Sequence, residues 1–211
     1  MAVTRGRFDG PRLVGWASLA LAAMTLAVLA AAGTGVDGVR MLIRATARSS
    51  LVLFSLAFTA SSLRQLARTP ATAWLLRNRR YLGLSFAVSH ALHLVGIVAL
   101  AVRWPEEMAR TSATTVIGGG IGYVFVAAMA ATSNDRAVAA LGRERWRLLH
   151  LAGSWLLWGI FASSYLPRAV RSPAYLPLAL LALAAVGVRA AAWLQGSAMR
   201  RRSPTSSSVG Q

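Results

Sequence analysis

The sequence predicts an all-α integral membrane protein, a bundle of six transmembrane helices with both termini in the cytoplasm. Three observations carry this expectation. The 211 residues are 56% hydrophobic and only 14% charged, and the apolar runs are longer than a soluble core requires. Six runs come close to the roughly 20 residues that cross a bilayer: 13–32, 46–66, 81–102, 114–132, 148–166 and 175–194. The formal charge of +17 gathers at the ends of these runs instead of on one basic face or arm, so the lipid bilayer, and not a nucleic acid, is the expected partner.

The arginines also give the orientation. Arg5, Arg7 and Arg12 precede the first run, Arg64, Arg68, Arg77, Arg79 and Arg80 separate the second from the third, Arg136, Arg143, Arg145 and Arg147 separate the fourth from the fifth, and Arg200, Arg201 and Arg202 follow the sixth. That places fifteen on one side. Seven lie on the other: Arg40, Arg44, Arg48, Arg103, Arg110, Arg168 and Arg171. The side richer in arginine is cytoplasmic by the positive-inside rule, which predicts a multi-pass protein of the bacterial inner (plasma) membrane. The chain divides into a cytoplasmic N-terminus over 1–12, a helical domain over 13–194 and a disordered cytoplasmic tail over 195–211.

The first run follows arginines and ends near Ala30, Ala31 and Ala32, in the manner of a secretory signal. It exceeds the 7–15 residues of a signal core and is read as a retained helix. Residues 33–40, with three glycines and an aspartate, are expected as an outer loop. The second run has a short uncharged centre, so Arg48 and Arg64 must snorkel to the two surfaces. Residues 67–80 read as a positively charged surface anchor, followed by the third run.

Pro105 ends the third run, and Glu106 and Glu107 are expected in solvent. The fourth run contains Gly118, Gly119, Gly120 and Gly122, which admit a neighbouring helix or a flat ligand. A cap at Ser133 or Asn134 opens a short surface helix, and the fifth run follows. In the sixth, Arg189 must either find a carboxylate, a phosphate or a cluster of carbonyls, a haem propionate being one such partner, or snorkel inward.

Chemistry concentrates in the three histidines. His90 and His93 lie in the middle of the third run, on one helical stripe with Gly83, Phe86 and Ile97. His150 stands near the inner edge of the fifth run and shares a stripe with Gly153. Cysteine is absent, so thiolate metal sites, iron–sulfur clusters and disulfides are excluded, and a redox centre must use imidazole. Histidines on facing helices suit haem iron in an electron-transfer role. Zinc or copper would call for further ligands. The alternative use of these side chains is hydrogen bonding across the bundle.

Three stretches, RATARSSLVLFSLAFTASSL, RRYLGLSFAVSHALHL and SNDRAVAALGRERWRLLH, resemble the ferric reductase-like transmembrane domain, in the variety found as the haem-binding membrane subunit of the bacterial periplasmic methionine sulfoxide reductase system. The resemblance implies b-type haem between the third and fifth helices and electron flow from the cytoplasmic to the outer side. It assigns His93, ten residues beyond the glycine of RR-x-LGL, and His150, after the arginine-rich loop, as haem ligands. His90 is an additional candidate. A second family histidine, thirteen residues after His150, is replaced here by Ser163, which speaks for one haem b and against a two-haem wire.

The expected function is an electron-transfer subunit of an oxidoreductase, with His90, His93 and His150 as metal ligands. Gly83 and Gly153 would admit the porphyrin, and Arg48 and Arg189, with Arg168, would face its propionates. Since no nucleotide-binding motif is present, electrons must come from a partner: a cytoplasmic flavin reductase carrying flavin, or a membrane quinol. The acceptor is an outer-side oxidoreductase or a metal. The rival expectation is a haem-free membrane scaffold that keeps the fold.

Overall fold

The computed structural model describes residue 6 and residues 8–202. The long helices are α1 (Pro11–Ala32), α2 (Val36–Leu66), α3 (Pro70–Arg103), α5 (Ala113–Ala131), α7 (Arg143–Arg171) and α8 (Leu176–Arg202). Short helices α4 (Pro105–Met108) and α6 (Asp135–Leu141), and a 3-10 turn at Pro173–Tyr175, connect them. Among the described residues, five segments are long and apolar enough to cross a membrane: α1, α2, α3, α5 and Pro173–Met199. The expected fifth span lies inside α7, which has the length at 29 residues. Its apolar stretch is diluted by His150, Ser154, Ser163, Ser164 and two tryptophans.

Each helix begins where the local chemistry permits. Pro11 and Pro70 open α1 and α3 at their first turns, where the missing N–H costs nothing. At Thr69, side chain and backbone exchange hydrogen bonds with Thr72 in a capping box, which satisfies two otherwise orphaned N–H groups. Asn134 caps α6 by accepting from the Ala137 N–H at 2.8 Å, the second of the two expected positions.

Two expected loops are shorter than the composition suggested. The outer connection is confined to residues 33–35, because α2 already begins at Val36. Gly38 makes this possible: a Cβ there would overlap the Gly33 carbonyl, so the chain folds tightly back only over hydrogen. The inner segment 67–80 is mostly helical, since Pro70 starts α3 and the helix runs unbroken for 34 residues. Glu107 is not simply solvated either, but forms ion pairs with Arg40 and Arg110. At the other end, α8 continues through 195–202 as helix, and residues 203–211 of the expected tail lie outside the described residues, as do Arg5 and Arg7.

The core lies where α2, α3, α5, α7 and α8 meet, around Leu51, Phe54, Phe58, Phe86, Val126, Leu157, Phe161 and Tyr165 with Ala182 and Ala185. The α2–α3 interface is built from small polar residues: Thr46, Ser50, Ser85 and Ser89 are fully buried between the two helices. Small side chains let backbones approach when lipid offers no hydrophobic driving force. Gly96 adds to this closeness, since a Cβ there would stand 2.9 Å from Ile43. Among the glycines of α5, Gly122 packs against Ile160 and Leu157, while Gly118, Gly119 and Gly120 face open space. Large apolar residues point outward from most helices, including Leu26, Val98, Ile117 and Leu180, as a lipid-facing surface requires.

Candidate functional site

A cavity of about 650 Å³ opens at the end of the bundle where α3 begins and α5 ends. Its walls are apolar and aromatic, with Phe54, Phe58, Phe86, Met129, Trp146 and Leu157. Arg77, Arg79 and Arg80 from α3 and Arg143 and Arg147 from α7 also line it. Among the described residues of this lining, Asp135 is the acidic one, and it is already paired with Arg80 at 3.0 Å. Positive charge is therefore in excess over an apolar chamber, an arrangement that suits a flat apolar molecule carrying anionic groups at one edge.

His150 lines this cavity. Its ring stacks against Trp146, with centroids 4.3 Å apart, and Nε2 lies 3.1 Å from the Thr132 hydroxyl. Trp146 is held in turn by its Nε1–H, which donates to the Thr132 carbonyl at 3.0 Å. Gly83 also lines the chamber, and a Cβ there would meet nothing within 4 Å.

The other two histidines occupy a different depth. The His90 ring lies 5.3 Å from Phe86, 4.7 Å from Tyr123 and 6.2 Å from Phe161, centroid to centroid. Phe161 stands eleven residues beyond His150 on α7, about 16 Å along a helix. His93 stacks on His90 at 5.4 Å, and neither ring is part of the cavity wall; Phe86 stands at the wall and touches His90. The structure does not bring His90 or His93 to His150. It produces two stations, one holding the α7 imidazole and one holding the α3 imidazoles.

The α3 pair is fastened to α2. His93 Nδ1 lies 3.0 Å from the Ile43 carbonyl and 3.2 Å from the Thr46 hydroxyl. A carbonyl only accepts, so Nδ1 carries the proton and Nε2 the lone pair. His90 Nδ1 meets the Ser50 hydroxyl at 3.4 Å, and Ser50 and Ser49 both bond to Ser89. Next to His90, the buried Tyr123 hydroxyl has no hydrogen-bond partner. Ser163 is exposed and donates back to the Ile160 carbonyl at 3.0 Å.

The remaining expected site residues have other partners. Gly153 receives a helix and not a porphyrin, because a Cβ there would overlap Met129 and crowd Phe125 of α5. Arg189 is half-buried and donates to the Phe58 carbonyl at 3.0 Å, its guanidinium 4.3 Å from the Phe58 ring and 5.2 Å from that of Trp155. It is a tie between α8 and α2, supported by Gln65 donating to the Ala192 carbonyl. Arg48 is exposed, and Arg168 donates to the Ser164 carbonyl of its own helix. No group of three or more histidine or acidic side chains converges among the described residues.

Reading the sequence for topology missed the arginines as cavity residues. Their spacing was visible, but only the return of α6 and α7 beside the start of α3 places them around one chamber. Thr132 and Trp146 carried no distinguishing signal.

The family model described as "Ferric reductase like transmembrane component" matches residues 44–161, which include all three histidines and stop just before Ser163. The chain is also 33% identical over 124 residues to the protein-methionine-sulfoxide reductase heme-binding subunit MsrQ of Polaromonas naphthalenivorans (strain CJ2), a match that covers 55% of this chain. It spans about half of that relative, 53% of its length. No solved structure gives a significant match. With more than half of its residues matched by the family model, from α2 through most of α7, the chain belongs to the ferric reductase-like transmembrane component family.

Proposed function

We propose that this chain is a haem-binding electron-transfer subunit of a membrane oxidoreductase, holding haem b in the chamber lined by His150. The observation that carries the reading is the chamber itself: an imidazole, aromatic walls and an excess of arginine in about 650 Å³. These residues fit the group. His150 supplies a nitrogen donor for iron, Gly83 leaves room for a macrocycle edge, and the arginines offer charge-assisted hydrogen bonds to propionates. The aromatic walls offer apolar contact to a flat ring. Bound there, haem would supply a one-electron iron couple. The name of the MsrQ relative supports haem as the ligand.

In this reading α7 is a sixth span, both termini are cytoplasmic by the arginine bias, and the chamber opens inward in a bacterial inner membrane. Electrons enter there from a cytoplasmic flavin reductase or a quinol and leave to an outer-side oxidoreductase or metal. The family resemblance names His93 as the α3 ligand, but its ring is not part of the chamber wall, so in this reading the chamber's haem depends on His150.

A second reading, a haem-free scaffold that keeps the fold, is favoured by one observation: each of the three histidines already has a hydrogen-bond partner within the protein. A reduced-minus-oxidised spectrum of the full chain, purified after expression with ample haem, decides between them. The expected result is a b-type band. Its absence would exclude the haem reading.

A further inference from the structure

Thr132 ends α5 and points its hydroxyl at His150. That hydroxyl has one proton, and its shortest contact is the Ala128 carbonyl at 2.7 Å, one turn back on its own helix. A carbonyl accepts only, so the proton goes there, and toward His150 Nε2 at 3.1 Å the oxygen offers a lone pair. His150 must then carry its proton on Nε2. Nε2, one of the two ring nitrogens through which a neutral imidazole binds a metal, is thus protonated and already engaged with Thr132. The Trp146 ring against the imidazole and the bond from Trp146 to the Thr132 carbonyl hold the three residues as one unit.

We infer that Thr132 is a positioning residue that latches His150 in a non-ligating tautomer until a macrocycle enters the chamber. The inference rests on the haem-binding reading and adds a control to it: loading requires the Thr132–His150 bond to break and the imidazole to change tautomer, Nε2 giving its proton to solvent at the chamber mouth and Nδ1 taking one up, so that the ring stays neutral and Nε2 has a lone pair. His93 provides the contrast within the same molecule, because α2 holds it by Nδ1 and leaves Nε2 unprotonated.

The test uses the full chain in detergent, with haem as the probe, and the variants Thr132→Val and Thr132→Ser. Valine keeps the shape and removes the acceptor, so haem affinity should rise about two- to tenfold, the range spanned by one net hydrogen bond. Serine should restore the wild-type value. In the haem-free protein, nitrogen-15 NMR of labelled histidine, assigned through His150→Ala, should find the Nε2–H tautomer at His150. A His150 found as Nδ1–H, or a valine variant that binds haem no more tightly than wild type, overturns the latch while leaving haem binding intact. Wild type that takes up no haem overturns both proposals, and the NMR experiment still reports on the tautomer by itself.

Discussion

His150 and His93 stand on facing helices and are held by opposite nitrogens. At the α7 station the imidazole borders a large chamber, but its Nε2 is engaged by Thr132. At the α3 station the Nδ1–H of His93 donates to a backbone carbonyl and Nε2 is left with a lone pair, the arrangement usual for a metal-ligating histidine. There, however, the space beside the pair is taken by aromatic rings, with Tyr123 against His90. One station has the room and the other has the ready donor. The comparison teaches that a histidine's fitness as a ligand is set by two independent properties, volume for the macrocycle and the hydrogen bond on the far nitrogen.

The largest expected effect separates the stations directly. His150→Ala should reduce haem retention by more than the roughly 10- to 100-fold that loss of an outer-shell partner costs, whereas His93→Ala should leave the chamber's haem in place. Haem content per chain after purification measures both. Equal losses in the two variants would erase the distinction between the stations.

The two glycines sharpen the same contrast. Gly153→Leu pushes a side chain into Met129 and Phe125, so it should destabilise the fold by about 1–3 kcal/mol or more through overpacking, seen as a lowered thermal midpoint of the haem-free protein. Gly83→Leu enters open space, so it should leave the midpoint near that of wild type and lower haem affinity by filling the chamber. A Gly83 variant that binds haem normally would place the macrocycle elsewhere.

A smaller change is expected at the rim. Arg147→Gln should weaken haem binding by a few-fold, as loss of a partly solvated charge contact does, and the deficit should shrink in high salt because salt screens the wild-type contact. The smallest effect concerns the tether beside the rim. Asn78 is buried, accepts from the Gly10 N–H at 2.9 Å and donates to Asp9 at 2.8 Å, and this amide, with the Gly6 N–H, holds the Asp9 carboxyl below its ordinary value of 3.8. Because the folded state favours the charged form, the contribution is present above pH 3.8 and disappears as pH falls through the lowered value. Asp9→Asn should therefore have a slightly lower thermal midpoint than wild type at neutral pH, and the difference should vanish in acid.

Much of this architecture was written in local patterns. Long uncharged runs located the six long helices, Pro105 marked the end of α3, and the His90–His93 spacing put both rings on one side of α3, because helical periodicity is a local property. The positions that failed share a cause. Gly153 and Arg189 looked like cofactor contacts because each is unusual within its own helix, yet Gly153 answers to Met129 and Arg189 to Phe58, neighbours from other helices that no single run contains.

By itself, the sequence determined the membrane class, the helices and the exclusion of thiolate chemistry, since each follows from composition or from contacts within a turn or two of chain. Only the tertiary structure decided that the arginines near the start of α3 and at the start of α7 surround one chamber, that His150 lines it, and that His90 lies beside Phe161 with His93 stacked on it instead. The physical reason is register: how far one helix slides along another is settled by side chains packing across the interface, such as Gly96 on Ile43 and Gly153 on Met129, and those pairs are far apart in the chain.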